Sequence, residues 1–362
     1  MLHTVDERGT VDALAASLDH LAAQGARGVM VLGCVANEWP ADGVRAVLRA
    51  ASPVCFGALF PGVIHNGRVL RRGAVLVGLR EAPAVARVTS PDADLSALRE
   101  AMGLCVFGDA GDATEPLLEP LYAQIGPGPS CVGGGAGSLD RPAPTPLVTP
   151  EGLDGGGLVV AALPHRLRVA AAHGWSAVGE ELCVTRARGD VLHELNWQPA
   201  QAVYRRALDA IGAPVSDPQD FYRVASRYPL LLQDLTGTSI VRDPVRALPD
   251  GALRCAGALD PHTMLRVGRG DASSLLAAAL AVADALAPGF DPARDALLTL
   301  CCISRELLLG SRIGLELAAL RLRGAPQVGA LTVGEVVGDG ESMMRLHNKC
   351  AALGAWSEGP WP

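Results

Sequence analysis

The sequence predicts a mixed α/β fold, read as two lobes, each a mixed β-sheet covered by helices. Three observations predict it. Short apolar runs such as "GVMVLGCV" and "GAVLVGL" read as buried strands. They alternate with amphipathic stretches bounded by helix start and stop signals. A chain of 362 residues also exceeds what one hydrophobic core usually organises, so two domains are expected, 1–163 and 164–362.

In the first lobe, "TVDALAASLDHLAAQGARG" is a helix capped by Thr10 and ended by Gly25 and Gly28. "GVMVLGCV" follows as a strand and "DGVRAVLRAAS" as a helix. "VCFGALFP" and "GAVLVGL" are strands joined by "GVIHNGRVLRRG", in which Asn66-Gly67 is a hairpin signal. "TEPLLEPLYAQIG" is helical. "GPGPSCVGGGAGSLDRPAPTP" is dense in Gly and Pro and poor in apolar periodicity, so irregular structure is expected there. "GGGLVVAAL" resumes a strand.

In the second lobe, "LCVTRARGDVLHEL" alternates about Arg188-Gly189-Asp190 and reads as a hairpin. "PAQAVYRRALDAIG" starts with Pro199 in a first helical turn and ends at Gly212. Short strands are expected at "YPLLLQ", "TSIVRDP", "ALRCAGAL" and "TMLRVG". A helix "DASSLLAAALAVADALA", a strand "ALLTLCCI", one helix "SRELLLGSRIGLELAALR" and closing strands complete the chain. No sequence repeat relates the two halves.

Composition narrows the function. Hydrophobic residues make up 49% and charged residues 19%, with a formal net charge of -7. That balance argues against nucleic acid, whose phosphates are gripped by clustered Lys and Arg. The nine cysteines lie mostly in apolar runs without a CxxC pair, which fits neither a disulfide framework nor a zinc site. The N-terminus carries acids and no apolar run, so no secretory signal is expected. "SLLAAALAVADALAPGF" is broken by Asp284 and stopped by Pro288, short of the ~20 residues of a membrane span. These features predict a reducing, cytoplasmic setting.

Familiar motifs fail. In "GGGAGS", Gly133 and Gly135 fit a dinucleotide fingerprint, but Ser138 stands at the third glycine. There is no P-loop. "GWSAVG" lacks the glycine a nucleophile elbow needs. Arg269-Gly270-Asp271 reads as a turn with Asp271 as a helix cap. No grouping signals a metal.

Patterns spread along the chain are more informative. They include "HGWSAVGEELCVTRARGDVLHELNWQPAQAVY", "YPLLLQ", "IVRDPVRALPDGALRCAG", "LCCISRELLLGSR", "PQVGALTVGEVVG" and "LHNK". Their order and spacing resemble the FIST sensory domains, N-terminal and C-terminal parts in tandem. The match is looser in the first half, where "FGALFPGVIHNG" lacks the acid that follows the glycine in many members.

The resemblance implies a cytoplasmic sensory module that binds a small molecule, for which amino acids have been proposed. Some relatives resemble haem-dependent nitric-oxide sensors, so haem is the one cofactor option. Members occur alone or fused to output domains. Here the two halves fill the chain, which implies a separate downstream signalling protein, with a homo-oligomer as a further option.

The candidate ligand-binding residues are Cys302, Arg305, Gly334, Glu335, His347 and Asn348. Arg305 offers a planar fork for a carboxylate, and Glu335 an acceptor for an ammonium. Gly334 allows close backbone approach. His347 and Asn348 can donate or accept. Cys302 opens a helix whose N-terminal field would favour a thiolate. Together they are expected to line one pocket at the domain junction. The alternatives are a scaffold role, with Arg305 and Glu335 as a buried ion pair, and a thiol enzyme using Cys302 and His347. No metal ligands and no catalytic residues are assigned.

Overall fold

The computed structural model describes residues 1–109, 114–139, 146–215, 217, 220–233 and 239–357. The mixed α/β class stands: helices cover sheets that combine parallel and antiparallel strands. Apolar runs became strands because a sheet buried on both faces tolerates no alternation. Gly28–Cys34, Ala74–Leu79 and Gly103–Asp109 are buried at every residue. The helix Val11–Ala23 starts where the Thr10 side chain accepts the Ala13 N–H at 3.2 Å. Ala272–Leu286 starts at a capping box closed by Asp271 and Ser274.

The topology repeats three times, over residues 3–79, 84–163 and 168–357. Each unit runs outer strand, helical segment, second strand, helix, third strand, hairpin, last strand. The strands of a unit pair in the order outer, last, second, third, with the second and third parallel. Each hairpin leaves its own unit. Gly62–His65 and Arg68–Leu70 dock on Val328–Thr332 of the third unit. Pro146–Thr149 and Gly152–Gly155 dock on Val54–Phe60 of the first. Glu335–Gly338 and Arg345–His347 dock on Ser130–Ala136 of the second. The exchange is cyclic, so every six-stranded sheet holds four strands of one unit and two of another. The expected boundary at 163/164 falls in the link between the second and third units.

The inner faces of the three sheets share one core. Met30 and Phe56 of the first unit, Phe107 and Val159 of the second, and Leu298 and Ala330 of the third all belong to it. Phe60 and Phe107 meet edge to face at 5.6 Å. The helices cover the outer faces with separate clusters.

Residues 176–269 are inserted in the third unit as an antiparallel barrel. The strand order is Ser176–Arg188, Met264–Arg269, Leu230–Gln233, Ser239–Ala247, Leu253–Ala256, Val191–Leu195, and the last pairs back with the first. The helix Ala200–Ala210 packs on its own core through Val203, Tyr204 and Leu208.

Three sequence expectations need correction. "SCVGGGA" is not irregular: Ser130–Ala136 is a wholly buried strand. Its glycines answer crowding, because a Cβ at Gly133 would lie 1.7 Å from the Val106 carbonyl oxygen. Gly57 and Gly329 hold the same place in the other units, with Cβ distances of 1.9 and 1.7 Å to Val31 and Thr299 oxygens. Residues 140–145 of that Gly/Pro-rich stretch lie outside the described residues. Second, Asn66-Gly67 does turn a hairpin within the segment that connects the two strands, but its own strands pair in another sheet. Third, the single helix after "CC" is divided at Gly310 (φ +56) into Ile303–Leu309 and Ile313–Ala319. Gly133→Ala should cost about 3 kcal/mol or more in urea unfolding, because the partner strand cannot yield. Gly314→Ala, where a helical glycine meets nothing within 4 Å, should instead be neutral or stabilise by up to ~1 kcal/mol.

Candidate functional site

The candidate residues cluster where the parallel strands of the third unit end. Cys302 and Thr332 are register partners at the ends of Asp295–Cys302 and Val328–Thr332. The ends of parallel strands are where α/β folds form crevices. Beyond Thr332 the chain turns at Gly334 (φ +83) and starts its crossing to the second unit with Glu335. A Cβ at Gly334 would lie 3.0 Å from the Leu346 side chain, so the left-handed turn and the tight space both call for glycine.

Glu335 is completely buried without an ion-pair partner among the described residues. The Thr332 hydroxyl donates to its Oε1 at 2.6 Å, and the Cys350 N–H donates to its Oε2 at 3.0 Å. Burial pushes its carboxyl up to about 8, despite opposing hydrogen bonds from Thr332, Cys350 and Cys302. Cys302 is raised too, by burial first and by Glu335 next. Both shifts favour the neutral forms of the pair. The Ser304 hydroxyl donates to Cys302 Sγ at 3.1 Å, extending the chain of polar groups toward the surface. The expected thiolate is corrected here: desolvation and the adjacent acid outweigh any helix field.

Arg305 pairs with Glu316 rather than with Glu335. Its Nε and Nη2 donate to the two Glu316 oxygens at 2.9 and 2.7 Å, with both side chains fully buried. Nη2 also donates to the Leu275 carbonyl, and Nη1 to those of Lys349 and His173. A guanidinium has five N–H donors, and all five are engaged. None is left for a ligand carboxylate.

The segment Leu346–Cys350 clasps the barrel to the three-unit body. Asn348 Nδ2 donates to the Ala256 and Val241 carbonyls at 2.8 and 3.3 Å. Arg242 of the barrel donates to the Leu346 carbonyl and pairs with Glu115 of the second unit. Lys349, left-handed at φ +59, buries its Nζ 2.9 Å from Asp243 Oδ2 and 2.8 Å from the Ser226 carbonyl oxygen. The Trp175 ring lies 5.1 Å from that Nζ. Among the described residues Asp243 Oδ1 is buried without a hydrogen-bond partner, and burial raises the Asp243 carboxyl. His347 is half-buried and lies opposite Glu335 across the hairpin.

Cys302, Gly334 and Glu335 therefore meet, with His347 on the neighbouring strand, while Arg305 and Asn348 turn to other partners. Sequence reasoning missed Thr332, Ser304, Glu316, Asp243 and Lys349. One signal was available: Lys349 is the only lysine among 31 basic residues. A compact ammonium fits between a carboxylate, a carbonyl and a ring face where a guanidinium would not.

A cleft of about 610 Å³ starts at Ile303, the residue after Cys302, and none of the six candidate residues lines it. Pro61 and Arg71 come from the first unit, Ser138 and Leu139 from the second, Ile303, Glu306 and Leu307 from the third, and Tyr222 and Val245 from the barrel. Leu139, Leu307, Tyr222 and Val245 are among the exposed large apolar side chains. Arg71 pairs with Glu306 on its wall. A smaller cleft of about 110 Å³, lined by Tyr222, Ser226 and Ser304, reaches the outer end of the Cys302 chain.

Two outcomes follow from the electrostatics. Below the ordinary glutamate value of 4.5, Glu335 is protonated in folded and unfolded chains alike, and its contribution to stability is fully present. As the pH rises to about 8 the unfolded chain releases this proton while the fold retains it, so stability falls across that window. Glu335→Gln should flatten that decline in urea unfolding measured below and above the window. Lys349→Met should cost roughly 3–5 kcal/mol by stranding the buried Asp243 carboxylate, and adding Asp243→Asn should recover most of it; differential unfolding of single and double variants measures both.

Among the described residues no helix is long and apolar enough to cross a membrane. No curated protein matches the chain. The model of the FIST N domain matches residues 20–198, and that of the FIST C domain matches residues 200–337. Domains of this kind are associated with sensory signal transduction. With both models matched in tandem over most of its length, the chain belongs to the FIST family.

Proposed function

We propose that this protein is a sensor that binds a small ligand, an amino acid or related molecule, in the 610 Å³ cleft and signals through a separate partner. The observation that carries the reading is that one cleft is walled by all three units and by the barrel. A ligand seated there touches both the interlocked three-unit body and the barrel, which has a core of its own, so it can favour one arrangement of the two over another. The cleft volume lies within the ordinary range for small-molecule sites. Its apolar walls suit an aliphatic or aromatic portion, and the Arg71–Glu306 pair can exchange partners with a carboxylate and an ammonium. Cys302 directly precedes Ile303 of that wall, but neither it nor Glu335 lines the cleft itself. Asn348, further along the same hairpin segment as Glu335, ties it to the barrel through the Val241 and Ala256 carbonyls.

A thermal-shift panel of amino acids, small carboxylates and haem tests the proposal. A binder at a hundredfold excess over its Kd should add ~2.7 kcal/mol of stability. Tyr222→Ala and Leu307→Arg should abolish that shift while leaving the circular dichroism spectrum native. A flat response to the whole panel would sink the reading, and a haem absorption band would replace it with a haem sensor.

A further inference from the structure

The barrel carries an aromatic side chain that its own fold does not use. Trp197 is 79% exposed, the most exposed of the large apolar residues described. It sits in the two-residue turn between Val191–Leu195 and Gln198–Pro199, with Asn196 at φ +49 and Trp197 at φ +59. Both central residues of such a turn are left-handed, a geometry that favours Asn followed by Gly. Asn196 suits its place, because its Oδ1 accepts the Cys183 N–H at 2.8 Å. Trp197 does not: a bulky residue is held left-handed, its N–H tied to Thr185 Oγ1 at 3.0 Å, while its ring projects into solvent. A backbone held in a disfavoured region with no intramolecular packing in return points to use elsewhere.

A receptor lies beside it. Asn196 stands on the rim of a pocket of about 320 Å³ whose walls include Leu182, Val203, Ala207, Ile211 and Val267. The same pocket is edged by Glu180 and Arg206. Glu180 has no hydrogen bond or ion pair among the described residues, while Arg206 donates only to Gln198 Oε1, at 2.7 Å. One face thus holds an aromatic knob, an apolar hole, an acid without a partner and a base.

We infer that this face is a twofold interface between two copies of the chain. Trp197 of each copy fills the pocket of the other, and Glu180 of each meets Arg206 of the partner subunit. A closed twofold contact requires self-complementarity within one patch, with each feature facing its complement after rotation. Knob beside hole and acid beside base meet that requirement. A different partner would have to supply both a second knob and a second hole. Buried tryptophans at the centre of an apolar contact are also the residues on which binding energy concentrates.

Sedimentation velocity over a range of micromolar concentrations tests this on the full chain. Wild type should show a monomer–dimer equilibrium. Trp197→Gly, which relaxes the turn, should keep the fold and weaken the dimer by at least roughly tenfold. Ala207→Trp should do the same by filling the pocket from its own side while leaving Trp197 in place. Glu180→Arg should weaken association, and Glu180→Arg with Arg206→Glu should restore it. A wild type that stays monomeric throughout, or a Trp197→Gly dimer of unchanged affinity, would overturn the inference.

Discussion

The exchange of hairpins among the three units is the constraint on which everything else rests. No unit finishes its own sheet, and the third strand of each has an open edge until another unit covers it. Uncovered edges attract unwanted pairing, and cyclic exchange removes them within one chain. The exchange also forces close approach, since each third strand is pressed against its parallel neighbour at a glycine. The candidate site is a by-product of this geometry. Glu335 is the first residue of a crossing hairpin, carried past the end of its own sheet into the space where the units converge.

The interior charges divide into two kinds. Arg305 with Glu316, Lys349 with Asp243 and Arg242 with Glu115 are cation–anion pairs that join separate elements. Desolvating charges is costly, and each member is tolerated because its partner and neighbouring carbonyls replace water. Glu335 is a different case. Its neighbours are a hydroxyl, an amide N–H and a thiol, and burial raises its carboxyl with no paired cation among the described residues. That contrast separates the charged pairs that join elements from one carboxyl that has no cation beside it among the described residues.

The sequence made local elements legible because their signals are local. Thr10 and Asp271 cap the helices they were expected to cap, and apolar runs became buried strands. The strand Ser130–Ala136 was misread because glycine there answers the Val106 carbonyl, a contact that composition does not reveal. Gly103–Asp109 was legible as an apolar run but went unread. The threefold repeat was hidden because what recurs is strand order and one glycine, not side chains. Of the site, Cys302 and Glu335 do meet as neighbours across strand ends. Arg305 joined Glu316 because helix facing is decided by how Ile303–Leu309 packs on Ile313–Ala319, which spacing along the chain does not fix. Counting Lys and Arg together concealed that one position alone retains a lysine.

That lone lysine makes the clasp observable by covalent chemistry. Apart from the chain's α-amino group, the Lys349 ε-amine is the only primary amine the side chains supply, and it is nearly sealed from solvent. Acylating reagents can reach it only when the barrel lifts from the three-sheet body. The rate at which this single amine is modified therefore reports openings at the joint between barrel and body, so the molecule carries its own footprinting probe there.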